Sequence, residues 1–175
     1  MISVAIILAR GGSKGIPNKN LRKINGISLV RRSIDLALEL ENVSKVFLST
    51  DSDLIADEAN IKDVEIIKRP FELADDNSPE LSAWKHAIYN VESRFGKFDK
   101  FVSIPPTSPL RKAEDVQNIM NLLNSNFELT LGVTESNRNP WFNMVKFSEK
   151  NRVKKIFNNI SFSRRQDAPQ VFDIT

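Results

Sequence analysis

The chain has 175 residues, 41% hydrophobic and 27% charged, with a net charge of +3, no cysteine and a single histidine. That balance suits a soluble domain with a core of ordinary size. The missing cysteines exclude disulfides and thiolate metal sites, and the lone His86 excludes a multi-histidine cluster. The longest apolar run near the N-terminus, Val4 to Ala9, is too short for a signal h-region or a membrane span, so a cytoplasmic protein is expected.

In chain order, Ser3–Leu8 reads as a buried strand, and Ser28–Leu40 as a helix with Leu29, Ile34, Ala37, Leu38 and Leu40 at helical spacing. Lys45–Ser49 is a second strand, Ser52–Asn60 a short helix and Val64–Ile67 a third strand. The polar stretch "KRPFELADDNSPE" follows. Ser78 can cap the next helix, Pro79 suits its first position and Gly96 ends it. Trp84, Ala87, Ile88, Val91 and Phe95 form its apolar stripe, with His86 beside it in a structural role. Asp99–Ile104 is another strand and Lys112–Asn124 another helix, and Glu128–Thr134 is expected to close the alternation. "WFNMVKF" and "RVKKIF" read as hairpin strands, on which exposed Trp141 and Phe142 would be costly unless a partner covers them, before the basic turn "SRRQDAP". Strands alternating with helices imply an α/β, doubly wound, mostly parallel sheet, which binds ligands at the carboxyl ends of its strands.

The charge is unevenly placed. Residues 1–34 hold Arg10, Lys14, Lys19, Arg22, Lys23, Arg31 and Arg32 and no acid, and residues 146–165 hold seven basic residues against Glu149. Two such segments suggest a localised anion site, although a solvated positive face has the same composition. Four of the six glycines, Gly11, Gly12, Gly15 and Gly26, lie in the first 26 residues. Glycine admits close approach of backbone N–H groups to an anion and permits positive φ. Lys14 and Lys19 add point charges and Arg10 a planar fork suited to phosphate. "ILARGGSKGIPNKNL" thus reads as a polyphosphate cradle or as an ordinary glycine turn. It is neither a Walker A loop nor GxGxxG. Asp51 and Asp53 form a D-x-D that offers oxygen ligands to a divalent cation, while Asp51 or Ser52 equally serves as the cap the next helix needs. "PPTSPLR" offers Thr107, Ser108 and Arg111 on a proline-shaped loop.

"ILARGGSKGIPNKNL", "STDSDLIADEA", "KRPFELADDNSPE", "PPTSPLR" and "RRQDAP" together resemble the acylneuraminate cytidylyltransferases in order and spacing, over nearly the whole chain. The resemblance implies a Rossmann-like nucleotidyltransferase domain over 1–175, with a small β-hairpin excursion at 138–160 for homodimerisation. It implies that CTP and a nonulosonic acid give a CMP-sugar and pyrophosphate with Mg²⁺, by in-line attack of the anomeric hydroxyl on the α-phosphorus. Such chemistry asks mainly for positioning and charge stabilisation. By resemblance Arg10, Lys14 and Lys19 are catalytic through the triphosphate, and Gly11, Ser13, Asn20, Arg69 and Ser78 join them in holding the nucleotide, Arg69 and Ser78 closing over it. Thr107, Ser108, Arg165 and Gln166 serve the sugar. No nucleic-acid or membrane partner is expected, since aromatic residues do not interleave with the basic segments.

Two departures from the family pattern bear on this reading. Where many members carry glutamine before "PTSPLR" to read the cytosine edge or the sugar, this chain has Pro105, so base recognition falls to backbone groups or to Asn20 and its neighbours. Family members also continue beyond "VFDIT" with a strand, an Asp-x-Asp metal motif and a helix. The expectation is a domain incomplete at its C-terminus, with the Mg²⁺ ligands absent and only Asp51, Asp53 and Asp173 as substitutes. Activation of a legionaminic or ketodeoxyoctonic acid, and a catalytically incomplete nucleotide-binding fragment, are the alternatives.

Overall fold

The computed structural model describes residues 1–157 and 162–174. Residues 158–160 of the expected excursion, Ser161 of "SFSRRQDAP" and Thr175 of "VFDIT" lie outside the described residues. The chain divides into two compact units, Met1–Asn124 and Ser125–Thr175.

The first unit begins with β1 (Ser3–Leu8), where the expected strand stands. Short strands β2 (Lys23–Ile24) and β3 (Ile27–Ser28) pair antiparallel around Asn25 and Gly26, whose φ angles of 51° and 80° make the tight two-residue turn that Asn-Gly favours. This hairpin is absent from the expected elements. Ser28 caps α1 (Leu29–Glu39) by accepting the Arg31 N–H at 3.1 Å. Next come β4 (Val43–Thr50), α2 (Asp53–Asp57) and β5 (Val64–Lys68). Helix α2 is shorter than the expected Ser52–Asn60, because the chain after Asp57 closes in successive turns. Then follow α3 (Glu80–Phe95), β6 (Lys100–Ser103) and α4 (Ala113–Leu122). Ser78 does not cap α3: Pro79 holds the cap position and no side chain bonds the first turn. Gly96, at φ 92°, ends the helix as expected.

The sheet is wholly parallel, in the order β5-β4-β1-β6. Strand β1 is central, so both its faces are buried and its sequence reads as an unbroken apolar run. Ala5 and Ile7 pack on one side with Val30, Ile34 and Ala37 of α1, Ile55 of α2 and Val116 of α4. Val4 and Ile6 pack on the other with Phe47, Ile67, and Ala87 and Val91 of α3. Helices therefore cover both faces, the doubly wound arrangement expected. The order reverses at β1, so the crevice beyond its carboxyl end is the place for a ligand. Among the described residues no helix is long and apolar enough to cross a membrane.

In the second unit β7 (Val133–Glu135) pairs antiparallel with β10 (Phe172–Ile174), and β8 (Val145–Phe147) pairs antiparallel with β9 (Val153–Lys155). The strand expected at Glu128–Thr134 thus starts later and does not continue the parallel sheet. Apolar alternation identifies a strand, not the sheet it joins, and Val133–Glu135 takes its partner from residues 172–174. The hairpin is present, but Trp141 and Phe142 lie before it and are half-buried rather than exposed. Trp141 stacks on Phe157 at 4.8 Å, and its N–H donates to the Asn139 side chain at 2.9 Å. The exposed apolar residues of the hairpin are Val145, Phe147 and Val153.

Candidate functional site

Arg10 leaves the carboxyl end of β1 just after Ala9, whose N–H donates to the Ser49 carbonyl of β4 at 3.0 Å. Its guanidinium reaches the segment before α3: Nη1 donates to the Ala74 carbonyl at 3.1 Å and Nη2 meets Asp76 Oδ1 at 2.6 Å. Lys14 Nζ meets the other oxygen, Asp76 Oδ2, at 2.5 Å. One carboxylate therefore holds both cations. The bond to Lys14, with Arg10 adding to it, keeps the Asp76 carboxyl below its ordinary range, and the same bond raises the Lys14 ammonium.

Two further contacts fix the loop. Gly11 N–H donates to Asp51 Oδ1 at 2.9 Å, and the buried Asn20 donates its side-chain amide to the Arg10 carbonyl at 2.9 Å. Asp51 is thus a bolt between the ends of β1 and β4. Asp53, whose side chain is 94% exposed, lies 4.0 Å from Lys68. Neither aspartate caps α2 through its side chain, and Ser52 at the cap position makes no side-chain cap bond. Asp173 belongs to the second unit. Among the described residues no group of three acidic or histidine side chains is placed to hold a metal ion.

The glycines divide by role. A Cβ on Gly11 would sit 3.0 Å from the Ser52 Cβ, so any side chain there needs Ser52 to give way by a few tenths of an ångström. At Gly12 and Gly15 an added Cβ meets nothing within 4 Å, and neither residue adopts positive φ. Within the segment the positive φ falls on Asn18 (φ 52°) rather than on a glycine, and the positive-φ glycine nearby is Gly26, in the β2–β3 turn. Packing and backbone strain therefore leave Gly12 and Gly15 unexplained, whereas open space beside an exposed backbone is what an anion approaching N–H groups needs.

Arg69, just past β5, is only 6% exposed. Its Nε donates to Ser49 Oγ at 3.2 Å and its Nη2 to the Ser49 carbonyl at 2.8 Å. Burial pushes this guanidinium below its ordinary value, with Asp51 opposing and Arg10 adding to the shift. The side chain is buried and held by Ser49 of β4. On α3, His86 is half-buried as expected, with its Nε2 3.2 Å from the Asn90 amide.

The structure therefore brings together Arg10, Gly11, Lys14, Asn20 and Arg69 at the ends of β1, β4 and β5. Ser13 and Lys19 lie on the same loop, Ser13 in a turn to the Gly11 carbonyl at 3.0 Å. Ser78 stands in the turn before α3, its N–H donating to the Asp75 carbonyl at 3.2 Å. Thr107 and Ser108 follow the carboxyl end of β6, at the same sheet edge. Ser108 lines a groove of about 440 Å³ between α1 and the β6–α4 connection, with Arg32, Glu39 and Arg111. In the second unit Arg165 Nη2 donates to the Asn137 carbonyl at 3.0 Å, beside Gln166 in a short 3-10 turn. The residues missed from sequence are Asp76, which lies within "LADDNSP", and Ser49. The adjacent acids of "LADDNSP", facing an acid-free basic segment, are the signal that marks Asp76.

A family profile described as cytidylyltransferase matches residues 4–173. The chain is 35% identical, over 171 residues, to a CMP-N,N'-diacetyllegionaminic acid synthase of Campylobacter jejuni, covering 96% of this chain and 72% of that one. It is 32% identical over 137 residues to an N-acylneuraminate cytidylyltransferase of Escherichia coli, covering 77% of this chain but 32% of that longer protein. Among solved structures it is similar to a CMP:2-keto-3-deoxy-manno-octonic acid synthetase complexed with CTP, with a TM-score of 0.66 and 15% identity over 100% of this chain and 72% of that one, a likeness of fold. With a match that runs almost end to end, the chain belongs to the cytidylyltransferase family, a group of nucleotidyltransferases.

Proposed function

We propose that the chain transfers CMP from CTP to a sialic-acid-like nonulosonic acid, releasing pyrophosphate. The observation that carries this is the convergence of Arg10 and Lys14 on one carboxylate, at 2.6 and 2.5 Å, beside glycines whose Cβ positions are empty. That geometry suits the oxygens of a phosphate chain. The anomeric oxygen attacks the α-phosphorus, the bond to the oxygen bridging the α- and β-phosphates breaks, and the hydroxyl proton is released. Arg10, Lys14 and Lys19 hold the phosphates in line and offset the charge that builds on pyrophosphate. Gly11, Ser13 and Asn20 shape the cradle, Arg69 braces the floor beneath it, and Ser78 flanks it. Thr107 and Ser108 serve the sugar acid.

The family's chemistry implies Mg²⁺. The described residues do not fit a site for it: Asp51 commits an oxygen to Gly11, Asp53 points into solvent, and no third acid joins them. No step above is routed through the ion. A homodimer and a cytoplasmic setting belong to the proposal, the former supported by Phe147, 82% exposed on the hairpin.

A second reading, activation of a legionaminic-type acid, is favoured by the 35% identity that spans 72% of the legionaminic acid synthase. Pyrophosphate release from CTP, measured with a sialic, a legionaminic and an eight-carbon ketodeoxyoctonic acid, tests both. Release with a nine-carbon acid is expected. Exclusive use of the eight-carbon acid would overturn the nonulosonic reading.

A further inference from the structure

Asp76 occupies the two cations that the proposed function assigns to phosphate. Each of its oxygens takes one of the two cations, Arg10 Nη2 at 2.6 Å and Lys14 Nζ at 2.5 Å. The pairing joins residues far apart in sequence, so it links the loop after β1 to the turn before α3. Nothing in the surroundings locks it. The Lys14 side chain is 82% exposed and that of Asp76 is 27% exposed, so water reaches the pair and exchange is easy. The turn itself is held independently, by Ser78 N–H on the Asp75 carbonyl and Asp76 N–H on Asp75 Oδ1 at 2.7 Å. Arg10 keeps a second bond, to the Ala74 carbonyl, that does not depend on the carboxylate. The cations can thus change partner without the turn unfolding.

We infer that Asp76 is an internal competitor for the polyphosphate: its carboxylate occupies Arg10 and Lys14 in the empty site, and nucleotide phosphates displace it on binding. A phosphate presents the same charged oxygens to the same two donors with more charge, so it replaces the carboxylate without rebuilding the site. The freed Asp76, now beside an anion, is repelled, which biases its side chain away from the cradle. The empty cradle thereby keeps its cations ordered and partly neutralised, and a ligand of higher charge density displaces the carboxylate. Stray chloride or a single carboxylate competes poorly. The inference rests on Arg10 and Lys14 being phosphate ligands, and it goes beyond that reading by assigning Asp76 an opposing role.

The test replaces Asp76 by asparagine, which keeps the shape and removes the charge, with Asp76→Ser as a second variant should the first not fold. Inorganic pyrophosphate and CTP are titrated calorimetrically into wild type and variant at low salt. Both ligands are expected to bind about threefold to tenfold tighter to the variant, the range two released solvent-exposed pairs allow. The gain should shrink in a Lys14→Ala background, where only Arg10 is left to release. Equal or weaker pyrophosphate binding would overturn the inference, because Asp76 would then position the cations rather than compete for them. An undiminished gain in the Lys14→Ala background would overturn it too, since the effect would be one of general charge. Loss of CTP preference over other nucleotides, with the pyrophosphate gain intact, would sink the cytidine reading and leave the competitor standing.

Discussion

Lys14 and Lys154 are both exposed lysines in basic stretches of this chain, yet their surroundings differ. Lys14 shares an acid with Arg10, next to open glycines at the switch point of a parallel sheet. Lys154 stands opposite Lys146 across a two-stranded hairpin, with Lys155 opposite Val145. Like charges facing each other across strands repel. Farther along the same stretch, Arg164 pairs with Asp167, three residues on, at 2.8 Å. The same number of cations, seven in each basic segment, thus gives convergence in one region and dispersal in the other. What makes a site is shared direction plus room for the ligand, which composition does not report.

The largest effect that separates the two regions is on nucleotide binding. Arg10→Ala and Lys14→Ala should each weaken CTP binding about tenfold to a hundredfold, the loss expected for a charge-assisted bond. Lys146→Ala and Lys154→Ala should leave it within twofold. Equal losses from both regions, measured by calorimetry, would erase the distinction.

The contrast also marks what the sequence made legible. The parallel sheet was readable because β1, β4 and β5 are apolar runs separated by helical spacing, and because Gly96 punctuates the end of α3. The cluster of glycines and cations after β1 was legible because those residues are contiguous in sequence. The adjacent acids of "LADDNSP" mark Asp76 as a candidate, but it meets Arg10 across 66 residues, and local pattern does not say which cation it joins. The partner of β7 was hidden for the same reason, as it comes from residues 172–174. The β2–β3 hairpin carried a signal, Asn25-Gly26, but its strands are two residues each, too short for alternation to appear.

A second, smaller effect concerns the buried cation. Arg69 is fixed by Ser49 rather than by an acid, so Arg69→Met should lower the unfolding free energy by about 1–3 kcal/mol through the unpaired Ser49 groups. Lys14→Ala should not change it measurably. Urea unfolding followed by circular dichroism checks both, and equal stability of the two variants would mean that Arg69 is exchangeable like Lys14.

The glycines allow a finer cut. Gly11→Ala must push its Cβ against Ser52 and should cost about 1 kcal/mol of stability or more. Gly12→Ala and Gly15→Ala should fold as wild type, and under the proposed function they should bind CTP more weakly, since the proposal places phosphate in the open space beside them. Unimpaired binding by both would return these glycines to the status of an ordinary turn.

The smallest effect is a pH dependence in α3. Burial, with the charge of Arg69 adding to it, holds the His86 imidazole below its ordinary value of 6.5. The folded chain then resists a proton that the unfolded chain accepts near pH 6.5. The stability from this group is present above that pH and is lost as pH falls below it. His86→Gln should flatten the fall in unfolding midpoint between about pH 7.5 and 5.5, and an identical slope in the variant would remove His86 as its source.

Amide chemical shifts during a CTP titration test most directly that the segment after β1 holds a nucleoside triphosphate. The account predicts that the amides of Gly11, Gly12, Lys14, Gly15 and Asn20 move with CTP while those of Lys146 and Lys154 stay fixed. Shifts confined to the hairpin, with the glycine segment silent at saturating CTP, would contradict it.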